Sequence, residues 1–269
     1  MPSSHASSTA AAAFAVTATA LLVFLRRYRQ RCALLGYDLA ASFRNGAPFQ
    51  NEIFLVRHGQ SEANVAGIIS SHPDVGTKKH TLTPRGEEQA RRAGNRLKAY
   101  CAEKGIPEDK IPENVIVRCS DFTRTRRTAA IVAEELGVPA SEVQTCIEFR
   151  ERFFGSFDGQ SDEKYKDVWN FDEHSILHEQ FGAESIASVL KRAAGKIVAL
   201  DREFKGKIIV IVAHGDVLQI SRTGFQGEYP PALHRYGDHL QTGSVSKLER
   251  TPLSRWQFLL VGPAVSSSR

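Results

Sequence analysis

The residues best suited to chemistry form a short motif near the first strongly apolar run of the chain. It reads Leu55-Val56-Arg57-His58-Gly59-Gln60-Ser61-Glu62-Ala63-Asn64. His58 follows a run typical of a buried strand, Gly59 lets a ligand approach the backbone, and Arg57 can hold an anion. A second apolar run, Ile208–Ala213, also ends at a histidine, His214. Two histidines at strand ends, one beside an arginine, indicate a site for a phosphate group.

The elements that must position these residues alternate along the chain. The predicted strands are Ile53–Val56, Val115–Cys119, Val143–Cys146 and Ile208–Ala213, and the predicted helices are Pro84–Cys101, Phe122–Leu136 and Glu184–Phe204. This alternation predicts an α/β fold, a three-layer α/β/α sandwich with a largely parallel central sheet. Ligands of such sheets bind beyond the carboxyl ends of the strands, so we expect His58, Ser120 and His214 to share one edge.

Composition and charge narrow the class of protein. The chain has 269 residues, 42% of them hydrophobic, which is enough for the core of a globular α/β protein. Its net charge of +5 is uneven, because four arginines between positions 26 and 31 supply +4 and leave +1 for residues 32–269. A nearly neutral body argues against nucleic acid as a partner. The four cysteines are widely spaced, which predicts reduced core thiols.

The N-terminus carries an apolar run followed by that basic cluster. Residues 9–25 hold no charge, and seventeen residues are near the lower limit for a membrane-spanning helix. Basic residues after the run argue against a signal peptide and favour a cytosol-facing catalytic domain. We therefore expect residues 1–31 to be a membrane anchor; an organelle-targeting segment and a cytoplasmic protein with an Ala-rich tail stay open. Residues 32–51 are expected to be a linker, 52–264 the catalytic domain, and 265–269 a disordered tail.

Further motifs follow the first in a fixed order. They are Leu82-Thr83 through Gly86, Ser120-Asp121-Phe122-Thr123-Arg124-Thr125, Glu151-Arg152-Phe153-Phe154-Gly155-Ser156-Phe157-Asp158-Gly159, and Ala213-His214-Gly215. Together these segments resemble the histidine phosphatase superfamily, which includes the cofactor-dependent phosphoglycerate mutases and many sugar-phosphate and other phosphatases. The resemblance runs from about Ile53 to at least Gln219 and implies a phosphoglycerate mutase-like fold. Departures at Asp121, Thr125, Arg127 and Phe157 remove no charged catalytic group.

The resemblance also implies the role of each site residue. It makes His58 the phosphoryl acceptor and Glu151 the proton donor, whose spacing to Gly155 fits the family pattern better than that of Glu148. The residues it places around the phosphoryl group are Arg57, Asn64, Arg124, His214 and Gly215. The chemistry agrees, because a neutral imidazole is a competent nucleophile, and two arginines with a protonated histidine can stabilise the transferring group. No metal and no cofactor are expected.

These inferences predict a metal-independent phosphomonoester hydrolase of the histidine acid phosphatase type. Two alternatives stay open: a phosphomutase of the same family, and a membrane-anchored protein that binds a phosphorylated ligand without turnover. The hydrolase is favoured over the mutase because the chain shows no evident match to the substrate-binding insertions of the mutases. The substrate is either a small phosphorylated metabolite or a phosphoprotein.

Two features of the middle of the chain bear on the site. Residues 153–181 are rich in aromatic and acidic side chains and are expected to cover the site as a lid. His174 and His178 have the i, i+4 spacing of a metal pair, but an exposed helix face is the favoured interpretation.

Overall fold

The structure is a computed structural model that describes residues 23–24, 26–226 and 229–251. Within these ranges the strands are β1 (Glu52–Arg57), β2 (Val115–Cys119), β3 (Gln144–Thr145), β4 (Ile208–Ala213) and β5 (Val245–Leu248). They form a five-stranded sheet in the order β3–β2–β4–β1–β5. β4 pairs in parallel with β1 and β2, and β3 in parallel with β2, whereas β5 runs antiparallel to β1 at the edge.

Helices precede, connect and cover the strands. They are α1 (Tyr37–Arg44), α2 (Glu62–Ala66), α3 (Pro73–Gly76), α4 (Pro84–Glu103), α5 (Ile111–Asn114), α6 (Thr123–Glu135), α7 (Tyr165–Asp172), α8 (Ile186–Glu203) and α9 (Gly215–Phe225). Residues 26–35 are also helical, and several short 3₁₀ segments lie in the connections.

The sheet separates two hydrophobic cores. All six residues of β4 are buried, because helices cover both faces of this central strand. Successive side chains of a strand point to opposite faces. Ile209 and Ile211 therefore pack with α8 and α9, whereas Val210 and Val212 pack with α4 and α6. The three-layer α/β/α sandwich with a largely parallel sheet is confirmed.

Helix α4 begins where the sequence predicts and lies very close to the chain that follows β1. Thr83 Oγ1 accepts a hydrogen bond from the Gly86 N–H at 3.1 Å, and Pro84 occupies the first helical position. A Cβ on Gly86 would lie 2.0 Å from the carbonyl oxygen of Gln60, and a Cβ on Gly59 would lie 2.2 Å from that of Gly86. The two backbones can meet only because both positions are glycine.

The sequence prediction lacks several elements of the structure, among them helix α9 and strand β5. Helix α9 begins directly after His214, whose side chain makes no capping hydrogen bond, so no start signal marks it. Strand β5 has only four residues, of which Val245 and Leu248 are buried, Ser246 is half-buried and Lys247 is exposed, so it lacks an apolar run. The strands at Val115–Cys119 and Ile208–Ala213 have the predicted ends.

Residues 32–51, which the sequence suggests as a linker, contain α1. Ala40 and Ala41 are buried, and α1 contacts α9. Arg44 donates from Nη2 to the carbonyl oxygen of Thr223 at 2.7 Å. This stretch therefore packs against the α/β body.

The prediction of a membrane-anchored protein was wrong. Among the helices of the described ranges, none has the length and apolar character needed to cross a membrane. The run on which the prediction rested is rich in alanine and interrupted by Thr17 and Thr19, and it is shorter than the about 20 residues of a typical span. Apart from positions 23 and 24, residues 9–25 lie outside the described residues, as does the segment 265–269.

The four cysteines are buried and unpaired in the structure. Cys119 is the last residue of β2 and Cys146 directly follows β3, but Cys119 belongs to the core under α4 and α6, and Cys146 to the core under α8 and α9. Burial raises the pKa of Cys119 to about 12. A thiol with so high a pKa is a poor nucleophile, so these cysteines serve the core.

Replacing Gly86 by alanine should destabilise the fold. The new Cβ would meet the backbone of Gln60, which cannot move without disturbing the chain after β1. We expect Gly86→Ala to lower the free energy of unfolding by about 1–3 kcal/mol. The matched control is Gly195→Ala in α8, where a Cβ meets nothing within 4 Å and helix propensity should add up to about 1 kcal/mol. Urea unfolding of both variants measures this, and a Gly86→Ala protein as stable as the control would contradict the close contact.

Candidate active site

Three adjacent strands deliver polar residues to one edge of the sheet, as the sequence predicts. His58 follows β1, Ser120 follows β2, and His214 follows β4, which lies between them. The pairing of β1 with β4 continues one residue further, since the His58 N–H donates to the Ala213 carbonyl at 3.0 Å. The centroids of the two imidazole rings therefore lie 5.2 Å apart.

The hydrogen bonds of His58 determine its tautomer. Nδ1 lies 2.7 Å from the carbonyl oxygen of Gly59, which can only accept, so Nδ1 carries the hydrogen. Nε2 lies 3.2 Å from Nε of Arg124, which can only donate, so Nε2 presents its lone pair. Burial, with the positive charges of Arg124 and Arg57, lowers the pKa of His58 well below its usual value. His58 is therefore neutral at pH 7, with Nε2 as the free base.

Two arginines flank this imidazole, Arg124 buried and Arg57 half-buried. Arg124, in the first turn of α6, donates from Nη2 to the Ser70 carbonyl at 2.9 Å, and its Nη1 lies 3.4 Å from the Ser70 hydroxyl. Arg57, the last residue of β1, donates from Nη1 to the Leu240 carbonyl at 2.7 Å. Its Nε is buried and has no hydrogen-bond partner among the described residues. An unpartnered charged donor beside His58 suits the binding of an anion.

Glu151 lies beside the second histidine. Its Oε2 is 3.9 Å from Nδ1 of His214, and its Oε1 accepts from the Arg152 N–H at 3.0 Å. Burial, with the negative charge of Asp216, raises the pKa of Glu151 to about 7. The carboxyl group therefore holds its proton over much of the physiological range. Glu148, the rival for this position in the sequence, does not line the cavity described below.

His214 is neutral rather than protonated, in contrast to the sequence-based expectation. Burial, with the charges of Arg124 and His58, lowers its pKa well below the usual value. Ser120 Oγ accepts from the Phe122 N–H at 3.3 Å and lies 3.0 Å from His214 Nε2. Donation from this hydroxyl to Nε2 leaves the imidazole hydrogen on Nδ1, which has no partner among the described residues. Nδ1 can therefore donate to a phosphoryl oxygen.

A cavity of about 620 Å³, open to solvent, adjoins these groups. Four residues of its wall were predicted from the sequence: Arg57, Asn64, Glu151 and Gly215. The other three predicted residues are buried, and they adjoin the wall residues through the contacts described above. They are His58, Arg124 and His214. The structure thus brings all seven predicted site residues together.

Asn64 and Gly215 each have a local reason to be where they are. Asn64 Oδ1 accepts from both the N–H and the hydroxyl of Ser61 at 3.0 Å and caps α2, so its Nδ2 remains a free donor on the cavity wall. A Cβ on Gly215 would lie 3.4 Å from Nε of Arg57. Glycine there gives the guanidinium room beside the helix.

The remaining wall comes from residues that the sequence analysis did not assign to the site. Tyr165 and Trp169 stack on each other along α7, with ring centroids 5.2 Å apart. Trp169 Nε1 donates to Asp216 Oδ2 at 3.1 Å, and the guanidinium of Arg235 lies 3.9 Å from the Trp169 ring. Two signals in the sequence could have found these residues. The two aromatics have i, i+4 spacing, and Asp216 directly follows Gly215.

The segment expected to be a lid contributes Asp162, Tyr165 and Trp169 to the cavity wall, and a buried ion pair anchors it. Arg152, fully buried, donates to both carboxylate oxygens of Asp172 at 2.7 and 2.8 Å, at the end of α7. Asp172 also contacts His178 Nε2 at 2.5 Å, whereas His174 Nδ1 lies 3.0 Å from the Asn170 carbonyl. The two histidines therefore have separate partners, and both follow the end of α7, so the expected exposed helix face was wrong.

Comparison with known proteins identifies the family. The family model described as histidine phosphatase superfamily (branch 1) matches residues 53–262. The chain belongs to the histidine phosphatase superfamily. Members of this superfamily are phosphatases or phosphomutases that use a phosphohistidine, so the protein is an enzyme of that kind.

Individual relatives include both types of enzyme. A 2,3-bisphosphoglycerate-dependent phosphoglycerate mutase of Methylobacterium sp. (strain 4-46) is 32% identical over 174 residues, covering 62% of this chain and 76% of the relative. A broad-specificity phosphatase of Saccharomyces cerevisiae is 29% identical, covering 62% and 67%. The structure of a phosphoserine phosphatase variant from Entamoeba histolytica, with phosphoserine bound, has a TM-score of 0.55 at 23% identity, covering 73% and 89%. That structure supports the histidine phosphatase fold.

Replacing Glu151 by glutamine should change the pH dependence of stability. The pKa of this carboxyl group rises from 4.5 to about 7 on folding. Between these two pH values the folded state holds a proton that the unfolded state has released. The contribution of Glu151 to the free energy of unfolding is therefore full below pH 4.5 and is lost as the pH rises to about 7. Relative to Glu151→Gln, the wild type should lose about 3 kcal/mol of unfolding free energy across this window.

Urea unfolding of both proteins at a series of pH values measures the effect. The difference between them cancels the contribution of the buried histidines, whose lowered pKa values act in the opposite direction. A difference that does not change with pH would mean that Glu151 ionises normally in the folded protein.

Proposed function

We propose that the protein hydrolyses a small phosphate monoester through a phosphohistidine formed on Nε2 of His58. The observation that carries the proposal is the tautomer of His58, which is neutral and whose Nε2 lone pair accepts a hydrogen bond from Nε of Arg124. A buried neutral imidazole is a better nucleophile than a protonated one, and it needs no base to activate it.

In the first step, the Nε2 lone pair attacks phosphorus and the bond from phosphorus to the ester oxygen breaks. The leaving oxygen takes the proton of Glu151, which this carboxyl group still holds near pH 7. The product alcohol departs and Glu151 becomes a carboxylate. A positioned acid matters most for alcohols of high pKa, which are poor leaving groups.

In the second step, water attacks phosphorus from the side that the alcohol has left. Glu151, now a carboxylate, takes a proton from this water, and the bond from Nε2 to phosphorus breaks. Inorganic phosphate is released, His58 regains its lone pair, and Glu151 regains its proton. One residue thus serves as acid and then as base, as the reversal of roles requires.

The charged and polar groups around His58 would stabilise the transferring phosphoryl group. Arg124 and Arg57 supply positive charge, Asn64 Nδ2 and His214 Nδ1 supply hydrogen bonds, and all are held by contacts to other residues. Donors that are already in place need little reorganisation when charge moves to the phosphoryl oxygens.

The cavity supports a small substrate. Its wall combines aromatic rings with a few polar groups, which is typical of small-molecule sites. Two of the proteins named above are a phosphoglycerate mutase and a phosphoserine phosphatase variant with phosphoserine bound, and phosphoglycerate and phosphoserine are both small phosphorylated metabolites. A metabolite of that size is therefore proposed in preference to a phosphoprotein.

A phosphomutase is the second candidate, because a mutase is among the relatives above 30% identity. In that reaction a hydroxyl group of the bound product, in place of water, would take the phosphoryl group from His58. The two reactions share the first step and differ only in the acceptor.

His58→Ala should abolish turnover without unfolding the protein, because the acceptor atom is lost while the fold depends on other contacts. Incubation with a ³²P-labelled phosphate ester should release labelled inorganic phosphate from the wild type and none from the variant. Label that appears instead in a second phosphate ester would identify a mutase. Release of labelled inorganic phosphate by a folded His58→Ala protein would refute the phosphohistidine intermediate on His58.

Activity should fall as the pH rises through about 7, because proton donation needs the protonated form of Glu151. For an alkyl phosphate we expect kcat/KM to decline above that pH, and Glu151→Gln to lower it by about 10²- to 10⁴-fold and to remove the decline. For p-nitrophenyl phosphate, which has a good leaving group, the loss should be smaller. Equal losses for both substrates would contradict the role of Glu151 as the acid.

A further inference from the structure

We propose that His80 is a positioning residue that holds Arg124 in place for the phosphoryl group, acting through Ser70. The inference rests on the role proposed above for Arg124. Nothing in the motif pattern points to His80, which lies in the loop between α3 and α4, and it is not part of the cavity wall. Any effect on catalysis must therefore pass through other residues.

The backbone of His80 is held in a conformation that few side chains adopt. Its φ of 59° lies in the left-handed region, and only Phe181 shares this among the non-glycine residues that the structure describes. The chain is fixed on both sides of the strained residue. Thr123 Oγ1 donates to the Lys79 carbonyl, and the Thr81 N–H donates to a carboxylate oxygen of Glu62 at 3.1 Å. Such strain persists where surrounding contacts impose it, which is typical of functional sites.

The strained backbone directs the His80 imidazole at Ser70. His80 Nδ1 lies 2.8 Å from the hydroxyl oxygen of Ser70, which is almost fully buried. The same oxygen faces Arg124 Nη1 at 3.4 Å, and the Ser70 carbonyl accepts from Arg124 Nη2 at 2.9 Å. Because a guanidinium can only donate, the hydroxyl oxygen accepts from Arg124, and its own hydrogen is available for donation to His80 Nδ1. Each contact thus has one donor and one acceptor.

A second contact holds the same segment from the other side. Asp158 Oδ1 accepts from the N–H and the hydroxyl of Ser71 and from the N–H of His72, at 2.5, 2.8 and 2.9 Å. Ser70 therefore lies between the Asp158 contacts and His80. Both terminal nitrogens of Arg124, Nη1 and Nη2, contact Ser70. The third nitrogen, Nε, lies 3.2 Å from Nε2 of His58. Loss of the His80 contact would free the Ser70 hydroxyl and with it one end of Arg124.

Three variants separate positioning from a purely structural role. His80→Gly removes the imidazole and also relieves the backbone strain, because glycine adopts positive φ freely. His80→Asn keeps an acceptor, Oδ1, at the place of Nδ1, and asparagine tolerates the left-handed region. Lys79→Ala, at an exposed neighbouring side chain, is the matched control.

Binding of orthovanadate by the full chain, measured by titration calorimetry, tests the proposal without turnover. We expect His80→Gly to weaken binding about tenfold with no fall in Tm, His80→Asn to restore most of it, and Lys79→Ala to match the wild type. Wild-type affinity in His80→Gly, or a loss that His80→Asn does not restore, would overturn this inference alone. A wild type that does not bind vanadate would overturn the proposed function as well.

Discussion

The hydrogen bond from His58 Nδ1 to the carbonyl oxygen of Gly59 is the interaction on which the site depends. It keeps the imidazole hydrogen on one nitrogen and leaves the lone pair of the other beside Arg124. This carbonyl belongs to the stretch that packs directly against the start of α4, where a Cβ on Gly59 would lie 2.2 Å from the carbonyl oxygen of Gly86. The parallel pairing of β1 and β4 places His214 next to His58.

Burial gives the site its chemistry by moving two pKa values in opposite directions. A group removed from water favours its neutral form, so the pKa of Glu151 rises while that of His58 falls. Near neutral pH the carboxyl group holds the proton and the imidazole holds the lone pair, which is the distribution that proton donation and nucleophilic attack both need. Asp216 links Glu151 to the aromatic wall of the cavity. Its carboxylate accepts a hydrogen bond from Trp169, and its negative charge adds to the effect of burial in raising the pKa of Glu151.

The sequence was most informative where function is tied to strand ends. His58 and His214 could be placed at one sheet edge for two reasons. Buried strands can be recognised from a short stretch of sequence, and ligands of such α/β sheets generally bind beyond the carboxyl ends of the strands. Ser70 and Arg235 could not be assigned, because each becomes part of the site through contacts with residues distant in the sequence. The antiparallel edge strand β5 was missed for a related reason, since its half-polar surface carries no apolar run. The anchor prediction failed because the length of an uncharged run overstates its hydrophobicity where the run is rich in alanine and contains threonine.

The nitrogen of His58 that carries the phosphoryl group tests the central claim most directly. Protein labelled with ¹⁵N-histidine, mixed with a slowly hydrolysed phosphate ester and examined by ³¹P–¹⁵N correlated NMR, would report which ring nitrogen is bonded to phosphorus. The account predicts a single phosphohistidine at His58, bonded through Nε2. Phosphorus on Nδ1, or on His214, or on no histidine while phosphate is being released, would contradict it.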